Sequence, residues 1–220
     1  MSQTSDYYEK GFVLLEDLLP REVAASYLSI MQKAVGGTLE LQKRFRASAH
    51  AVTQPSLELF SHNFPFSLGI LWGLTPVMEK ITGVKLLPSY SYGRVYSRGA
   101  RLEAHSDRQS NEHSLNLTLG YSDDIIWDFS METVSRSDAD ILKTDTADDF
   151  GGNDYVDVKM NPGDAAAYRG VHFRHARLTP NPNAWSAHLF MGWVDREGRF
   201  KDSAFDGLGL PRPAEFYFED

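Results

Sequence analysis

With 220 residues, of which 42% are hydrophobic, the chain is long enough for one domain with a full core, and it contains no apolar run of about 18 residues that would predict a membrane span. Its net charge of −8 and pI near 5.3 argue against a nucleic-acid partner, because affinity for a phosphate backbone comes from clustered Lys and Arg; a small molecule or a peptide is expected instead. Cysteine is absent and the first ten residues, MSQTSDYYEK, lack the pattern of a signal peptide, so we expect no disulfides and a cytoplasmic location.

Two amphipathic helices are predicted in the first 88 residues. Gly11–Leu19 has the pattern of a short strand that leads into a helix opened by Pro20. The apolar stripe of that helix consists of Val23, Tyr27, Ile30, Met31 and Ala34. A second stripe, within residues 64–82, consists of Ile70, Leu74, Val77, Met78 and Ile81. We expect both stripes to pack in the core. Residues 38–62 show no clear period; we expect a solvated segment there, and the alternative is a loop over the site.

After Pro88 the period changes from helical to strand-like. Alternate residues share one face, which is aromatic and basic: Tyr90, Tyr92, Arg94 and Tyr96. A guanidinium on an inward face requires an anion or a carboxylate partner. Arg94 is therefore a candidate for binding an anionic group.

This strand region is followed by a His-x-Asp pair. Alternate side chains of a strand project to one side, so His105 and Asp107 are expected to lie next to each other. Two such ligands and a distant histidine make a facial triad, which holds three corners of an octahedral Fe(II) ion and leaves three positions open. The pair alone is weak evidence, because His-x-Asp is more often a hydrogen-bonded surface pair.

Two histidines compete for the third ligand position. Positions 172 and 175 differ by an odd number, so on one strand His172 and His175 face opposite ways. Arg177 lies two residues after His175, on the same face and about 6–7 Å along the strand, where it could reach a metal-bound dicarboxylate. We therefore choose His175 as the ligand and place His172 behind the site or at the surface.

Three further segments complete the prediction. In His113–Tyr121, leucines alternate with Ser114, Asn116 and Thr118, and if the leucines pack on helices the polar set lines the interior of a barrel. Residues 122–158 are acidic and aperiodic, which predicts a mobile excursion, either a substrate lid or a solvated loop without calcium-binding spacing. The turns within Asn161–Asp195 predict antiparallel hairpins.

The linked motifs resemble those of the iron(II)/2-oxoglutarate-dependent oxygenases, particularly the compact prolyl-hydroxylase-like members. They are HSDR at 105–108, the preceding PSYSYGRVYSRGARLEA, and the later GDAAAYRGVHFRHAR and WVD. The resemblance spans about residues 64–195. It implies an α+β, mainly β fold, a double-stranded β-helix (jelly roll, cupin-like) with N-terminal helices packed on one sheet. The implied single domain, 1–220, has mainly helical support over 1–88, a jelly-roll core over 89–195 and a C-terminal extension over 196–220.

The resemblance also implies a ligand set and a reaction. His105, Asp107 and His175 would hold Fe(II), with 2-oxoglutarate and O2 as co-substrates, and a C–H bond of the substrate would be hydroxylated with release of succinate and CO2. Halogenating relatives tend to replace the carboxylate ligand with a small residue, so Asp107 favours hydroxylation.

The sequence departs from the family in the cation that binds the distal carboxylate of 2-oxoglutarate. The usual Lys or Arg on the strand after the distal histidine is missing, because residues 184–194 contain neither. We predict Arg177 as the anchor and keep Arg94 as the alternative, since a planar guanidinium suits a carboxylate. The predicted hydrogen-bond partners of the co-substrate are Tyr92, Asn116 and Ser186.

The expected substrate is a free amino acid or a similar small metabolite. Alternatives are a peptidyl or protein substrate, a cupin-like metal-binding protein that does not use 2-oxoglutarate, and a catalytically silent binding or sensor domain. The sequence does not indicate the oligomeric state.

Overall fold

The chain folds into two antiparallel β-sheets that face each other, with helices packed on the larger sheet. In the computed structural model, residues 3–207 and 215–217 are described. The α-helices in those residues are α1 (Gln3–Lys10), α2 (Arg21–Val35), α3 (Leu39–Gln42) and α4 (Phe66–Thr82). Short 3₁₀ segments span Lys43–Phe45, Gln109–Asn111 and Lys201–Gly207. No helix in this part of the chain has the length and apolar character needed to cross a bilayer.

The strands are β1 (Phe12–Leu15), β2 (Arg46–Ala47), β3 (Ser56–Phe60), β4 (Leu86–Ser97), β5 (Leu102–His105), β6 (His113–Tyr121), β7 (Phe129–Glu132), β8 (Thr146–Ala147), β9 (Tyr155–Val158), β10 (Ala165–Tyr168), β11 (His175–Arg177) and β12 (Trp185–Asp195). The larger sheet has the order β1-β10-β6-β12-β4-β3-β2, and the smaller sheet has the order β8-β5-β11-β7-β9. Two facing antiparallel sheets with helices on one of them confirm the predicted double-stranded β-helix.

The helices cover the outer face of the larger sheet. The leucines of β6 are buried in the cluster that also contains the buried side chains of α2 and α4, as predicted. The buried stripe of α2 is shifted from the predicted one, because Val23 is 45% exposed and Ala24 is buried instead. Helix α4 ends at Gly83, which adopts the left-handed conformation that terminates many helices.

Three predictions about connecting segments are wrong. Residues 38–62 are not merely a solvated segment, because β3 pairs with β4 and extends the larger sheet. Residues 122–158 are not an excursion, because they supply β7, β8 and β9 to the smaller sheet. Strands β11 and β12 do not form a hairpin: β11 pairs with β5 and β7, whereas β12 pairs with β4 and β6. Turn residues indicate that the chain reverses, but they do not specify which sheet the next strand joins.

Helix α1 is tied to the larger sheet by a buried polar contact. The Tyr7 hydroxyl lies 2.8 Å from Nδ1 of His113 and donates to the Tyr168 carbonyl at 3.2 Å. Burial, together with the charges of Arg169 and His172, lowers the pKa of His113 to about 3. His113 is therefore neutral in the folded protein at neutral pH.

We expect acid to destabilise the fold partly through His113. The unfolded chain takes up a proton on this side chain below its ordinary pKa of about 6.5, whereas the folded chain does so only near 3, so stability falls as pH drops through that window. Lowering the pH from 6.5 to 5 should reduce the free energy of unfolding by about 1.6 kcal/mol through His113. Urea unfolding at both pH values should show a smaller pH dependence in His113→Gln. The exposed His50, changed to Gln, serves as control; an equal reduction there would contradict the assignment.

Candidate functional site

The inner face of the larger sheet carries side chains in rows that run across the strands. The strand register defines an aromatic row of Phe60, Tyr92, Phe190 and Asn116. The neighbouring charged row consists of Glu58, Arg94, His188 and Thr118. On the opposite side of the aromatic row, a third row consists of Gly192, Ser114 and Tyr168. Adjacent rows are about 6–7 Å apart along the strands.

The three predicted metal ligands come together opposite this face. His105 at the end of β5 pairs directly with His175 at the start of β11, and Asp107 follows β5. Ligand atoms of the three residues all lie within 4.8 Å of one another. The histidine ring centroids are 4.4 Å apart, and Nε2 of His175 is 3.5 Å from Oδ1 of Asp107. His172 is not a member of this cluster.

The electrostatics favour the metal-binding forms of His105 and Asp107. Burial, together with the adjacent His175, lowers the pKa of His105 to about 4, so its ring is neutral at pH 7. Nδ1 of His105 lies 2.8 Å from the Glu103 carbonyl, which favours the tautomer that leaves Nε2 free for a metal. Burial alone would raise the pKa of Asp107, but His175 and the Ser114 hydrogen bond outweigh it and lower the pKa. The ligand set is therefore two imidazoles and one carboxylate.

Asp107 is held in place by Ser114 and Gly170. Its backbone N–H donates to the Gly170 carbonyl at 2.8 Å, and the Ser114 hydroxyl donates to Oδ2 at 2.6 Å. A Cβ on Gly170 would overlap Oδ2 of Asp107 and lie 2.6 Å from the Ser114 hydroxyl. The sequence identified Ser114 only as part of a polar face, and the segment that contains Gly170 only by its turns. No local pattern reveals that the carboxylate occupies the space beside this glycine.

We expect Gly170→Ala to lower metal affinity by about 10- to 100-fold, because the new methyl group must displace the Asp107 carboxylate. Metal binding can be measured by Co(II) titration followed by visible absorption. Gly37→Ala is the matched control, since a Cβ there meets nothing within 4 Å. Unchanged Co(II) affinity in Gly170→Ala would show that Asp107 is not constrained by this contact.

Arg177 lies fully buried beside the cluster without a carboxylate partner. Its guanidinium donates to the Trp127 carbonyl and to Nδ1 of His188 at 3.3 Å, and its carbon lies 4.6 Å from the Trp127 ring centroid. It forms no ion pair within residues 3–207 and 215–217, and its Nε has no hydrogen-bond partner there. A buried charge is costly unless an anion compensates it. This arrangement suits a ligand that carries a carboxylate.

Arg94, the alternative anchor, already has an anionic partner. Its Nε and a terminal nitrogen lie 2.8 and 2.6 Å from Oε1 of Glu58, and the other terminal nitrogen donates to the Tyr96 hydroxyl at 3.2 Å. The buried guanidinium of Arg94 therefore has the carboxylate partner that an inward-facing arginine was predicted to need, and that partner is Glu58. Glu58 was not identified in the sequence analysis, because β3 was not predicted.

The predicted hydrogen-bond partners differ in their surroundings. Asn116 is fully buried, and neither atom of its amide has a partner in the described part of the chain. Ser186 bonds to Nε2 of His188 at 3.0 Å, while Tyr92 stacks on Phe190 with centroids 5.1 Å apart. Burial and the charge of Arg177 lower the pKa of His188 well below its ordinary value. The neutral ring can therefore accept from Arg177 and donate to Ser186.

Tyr168 is a site residue that the sequence analysis missed. Its ring centroid lies 4.7 Å from that of His175 and 5.4 Å from that of Phe129. The alternation of β10 could have indicated it, because Tyr168 and Ala166 share the inner face opposite Ser114 and Asn116. The short, alanine-rich strand AAAY obscured that signal.

Comparison with known proteins identifies the fold. No protein-family model matches the sequence, and no curated protein matches it significantly. Among solved structures, the carbocyclase SnoK from nogalamycin biosynthesis, described as non-heme and alpha-ketoglutarate-dependent, has a TM-score of 0.71 at 13% identity, covering 98% of this chain and 94% of SnoK. HygX from Streptomyces hygroscopicus with nickel, 2-oxoglutarate and hygromycin B has a TM-score of 0.60 at 12% identity, with 89% and 87% covered. A Pseudomonas putida prolyl-4-hydroxylase has a TM-score of 0.58 at 14% identity, with 89% and 97% covered. These similarities show a shared double-stranded β-helix fold.

Proposed function

We propose that this chain, which shares its fold with 2-oxoglutarate-dependent enzymes, is an iron(II)- and 2-oxoglutarate-dependent dioxygenase. The proposed reaction hydroxylates a C–H bond of a small molecule, such as an amino acid or a similar metabolite, with release of succinate and CO2. The observation that carries this proposal is the convergence of His105, Asp107 and His175 beside an unpaired buried guanidinium. Two imidazoles and a carboxylate suit Fe(II) and leave coordination positions open.

The surroundings of the triad fit 2-oxoglutarate. A 2-oxo acid that chelates a metal held by the triad would need a cation for its far carboxylate, and Arg177 lies two residues after His175 on the same strand with a free Nε. The amide of Asn116, which has no partner in the described residues, lies in the aromatic row. On one side of it is the row of Ser114, which donates to Asp107, and on the other side is the row of His188, which bonds to Arg177. Arg177 is therefore the proposed anchor. Asn116, Ser186 and Tyr92 are the proposed hydrogen-bond partners.

The side chains at and around the triad have distinct roles in the proposed reaction. When bound, the iron and 2-oxoglutarate supply oxidising chemistry with O2. His105 stays neutral and offers Nε2, while Ser114 and Gly170 fix the orientation of the Asp107 carboxylate. Aromatic side chains around the triad, among them Phe129 and Tyr168, exclude water from the buried His175. Positioning and a dry environment are what the protein adds to the cofactor.

Fold neighbours support a small-molecule substrate. HygX was solved with nickel, 2-oxoglutarate and hygromycin B bound in one crystal. SnoK is a carbocyclase, so proteins with this fold are not restricted to hydroxylation. For this chain, the retained carboxylate ligand Asp107 favours hydroxylation over halogenation. The product assay must therefore identify the reaction as well as the substrate.

The proposed function is tested by anaerobic titration of Fe(II) and 2-oxoglutarate. Chelation of iron by the 2-oxo acid should produce a visible charge-transfer band, which neither component gives alone. Succinate release is then measured on admission of O2 with a panel of amino acids, other small metabolites and peptides. Metal-dependent turnover without 2-oxoglutarate would support the cupin-like alternative. Absence of the band would reject the proposal, and thermal protection by iron and 2-oxoglutarate without succinate release would favour a silent sensor.

A further inference from the structure

The two histidines of the triad are held in different ways. Nδ1 of His105 lies 2.8 Å from the Glu103 carbonyl, which is a normal hydrogen-bond distance. Nδ1 of His175 lies 3.4 Å from the Phe173 carbonyl, which is longer than the usual range for such a bond. Metal-binding histidines usually donate a hydrogen bond from the second ring nitrogen, and this bond fixes the orientation of the ring. The Phe173 carbonyl is therefore too distant to fix the His175 ring by itself.

Ring side chains pack closely around His175. Its ring centroid lies 4.7 Å from that of Tyr168, 5.6 Å from that of Phe129 and 4.4 Å from that of His105. The interplanar angles of these pairs are 55° to 59°, so each neighbouring ring is tilted relative to the imidazole. His175 is buried, and a close-packed interior resists rotation of a flat ring about its Cβ–Cγ bond. Packing is therefore the stronger constraint on the orientation of this ligand.

Tyr168 approaches His175 from the facing sheet. His175 belongs to β11 of the smaller sheet, and Tyr168 belongs to β10 of the larger sheet. Phe129 lies on β7, which pairs with β11, and its centroid is 5.4 Å from that of Tyr168. Of the two rings that are not metal ligands, Tyr168 is the closer to His175. Its position therefore limits how far the imidazole can turn toward the larger sheet.

The backbone of Tyr168 is fixed on both sides. It pairs with Phe12 of β1 and with Ser114 of β6, and its carbonyl accepts a hydrogen bond from the Tyr7 hydroxyl at 3.2 Å. Ser114 is the residue whose hydroxyl donates to Asp107. The Tyr168 ring is therefore attached to a rigid part of the larger sheet, next to the residue that supports another metal ligand. A side chain that orients a ligand needs such a rigid attachment.

We infer that Tyr168 is a positioning residue, whose ring packs on His175 and keeps Nε2 of that histidine directed toward the other two ligands. Nε2 of His175 lies 3.5 Å from Oδ1 of Asp107, whereas Nδ1 is on the side of the Phe173 carbonyl. The inference rests on the metal site of the proposed function and deepens it by naming the residue that orients the third ligand. The contribution comes from the ring, so it does not require the Tyr168 hydroxyl.

Tyr168→Leu and Tyr168→Phe distinguish the ring from the hydroxyl. Co(II) titration of the full chain, followed by visible absorption, measures metal affinity and does not depend on turnover. The shape of the visible bands also reports the arrangement of the ligands around Co(II). Tyr168→Leu should weaken Co(II) binding by about 10-fold or more and change the shape of the bands. Tyr168→Phe keeps the ring, so its affinity should stay within about 2-fold and its bands should be unchanged.

The matched control is Tyr27→Leu, which also removes a buried aromatic ring. Tyr27 packs edge-on against Phe64, with centroids 5.6 Å apart, in the core cluster beneath the helices. Urea unfolding should show a loss of stability in this variant, but Co(II) affinity should stay within about 2-fold. If Tyr168→Leu does not fold, Tyr168→Met is measured in its place, because its flexible side chain fills the space without a flat ring.

Three results would overturn the positioning role. Unchanged Co(II) affinity and bands in Tyr168→Leu would show that the ring does not orient His175. An equal loss of affinity in Tyr27→Leu would assign the effect to general destabilisation. A full loss in Tyr168→Phe would assign it to the hydroxyl instead of the ring.

The two proposals fail in distinguishable ways. The anaerobic charge-transfer band reports on iron and 2-oxoglutarate together, whereas Co(II) binding by the Tyr168 variants reports on the orientation of His175. A normal band in the unmodified protein, with unchanged Co(II) binding in Tyr168→Leu, would reject the positioning role alone. The expected Co(II) loss in Tyr168→Leu, without a band in the unmodified protein, would reject the oxygenase function and leave a metal site that Tyr168 orients.

Discussion

Alanine substitution of His105, Asp107 or His175 is expected to abolish metal-dependent turnover and leave the fold intact. Each substitution removes one of three ligand atoms that lie within 4.8 Å of one another, and two remaining ligands do not hold the ion in an open facial site. None of the three belongs to the hydrophobic core clusters, so their removal costs little core packing. Succinate release and Co(II) affinity measure the loss, and thermal unfolding followed by circular dichroism measures the fold.

The matched control for the ligand variants is His172→Ala. His172 lies three residues before His175 but outside the cluster, so this variant should keep Co(II) affinity within about 2-fold of the unmodified protein. Full activity in His175→Ala together with loss in His172→Ala would move the third ligand to His172. Equal loss in both variants would point to damage of the segment that carries both histidines.

Removal of the Arg177 charge is expected to weaken 2-oxoglutarate binding by about 30-fold or more, equivalent to the loss of about 2–5 kcal/mol for a buried charge-assisted pair. The distal carboxylate of the co-substrate would then be desolvated without a cation. Arg177→Ala leaves space beside Trp127, so Arg177→Gln, which can still donate to that carbonyl, is measured in parallel. The band that forms with Fe(II) at increasing 2-oxoglutarate gives the apparent affinity, and Co(II) affinity should change much less.

Affinity for a second 2-oxo acid distinguishes the loss of the Arg177 charge from a general disturbance of the binding site. The monocarboxylate 2-oxopentanoate lacks the distal carboxylate, so its affinity should differ by no more than about 3-fold between the unmodified protein and the Arg177 variants. Arg94→Ala provides the competing case, because it leaves Glu58 without its partner and should mainly lower stability. Normal 2-oxoglutarate binding in Arg177→Ala, with loss in Arg94→Ala, would transfer the anchor to Arg94.

Local periodicity in the sequence was sufficient to predict the strands and helices that frame the site. The alternation in β4 and β6 predicted which side chains face inward, since successive residues of a strand project to opposite faces. The choice of His175 over His172 assumed that both lie on one strand, but His172 lies in the turn before β11, so strand alternation does not apply to that pair. The apolar spacing of α2 and α4 likewise predicted both helices, although the buried stripe of α2 is shifted to Ala24.

The sequence by itself therefore determined the ligand candidates, the inward faces and the fold class suggested by the linked motifs. Only the tertiary structure decided which strands are neighbours: β11 pairs with β5 and brings His175 to His105, and β3 pairs with β4 and brings Glu58 to Arg94. It also showed that the Asp107 carboxylate fills the space beside Gly170. The physical reason is that periodicity is imposed by the covalent geometry of each strand, whereas pairing and close contact arise between segments far apart in the chain and leave no local pattern.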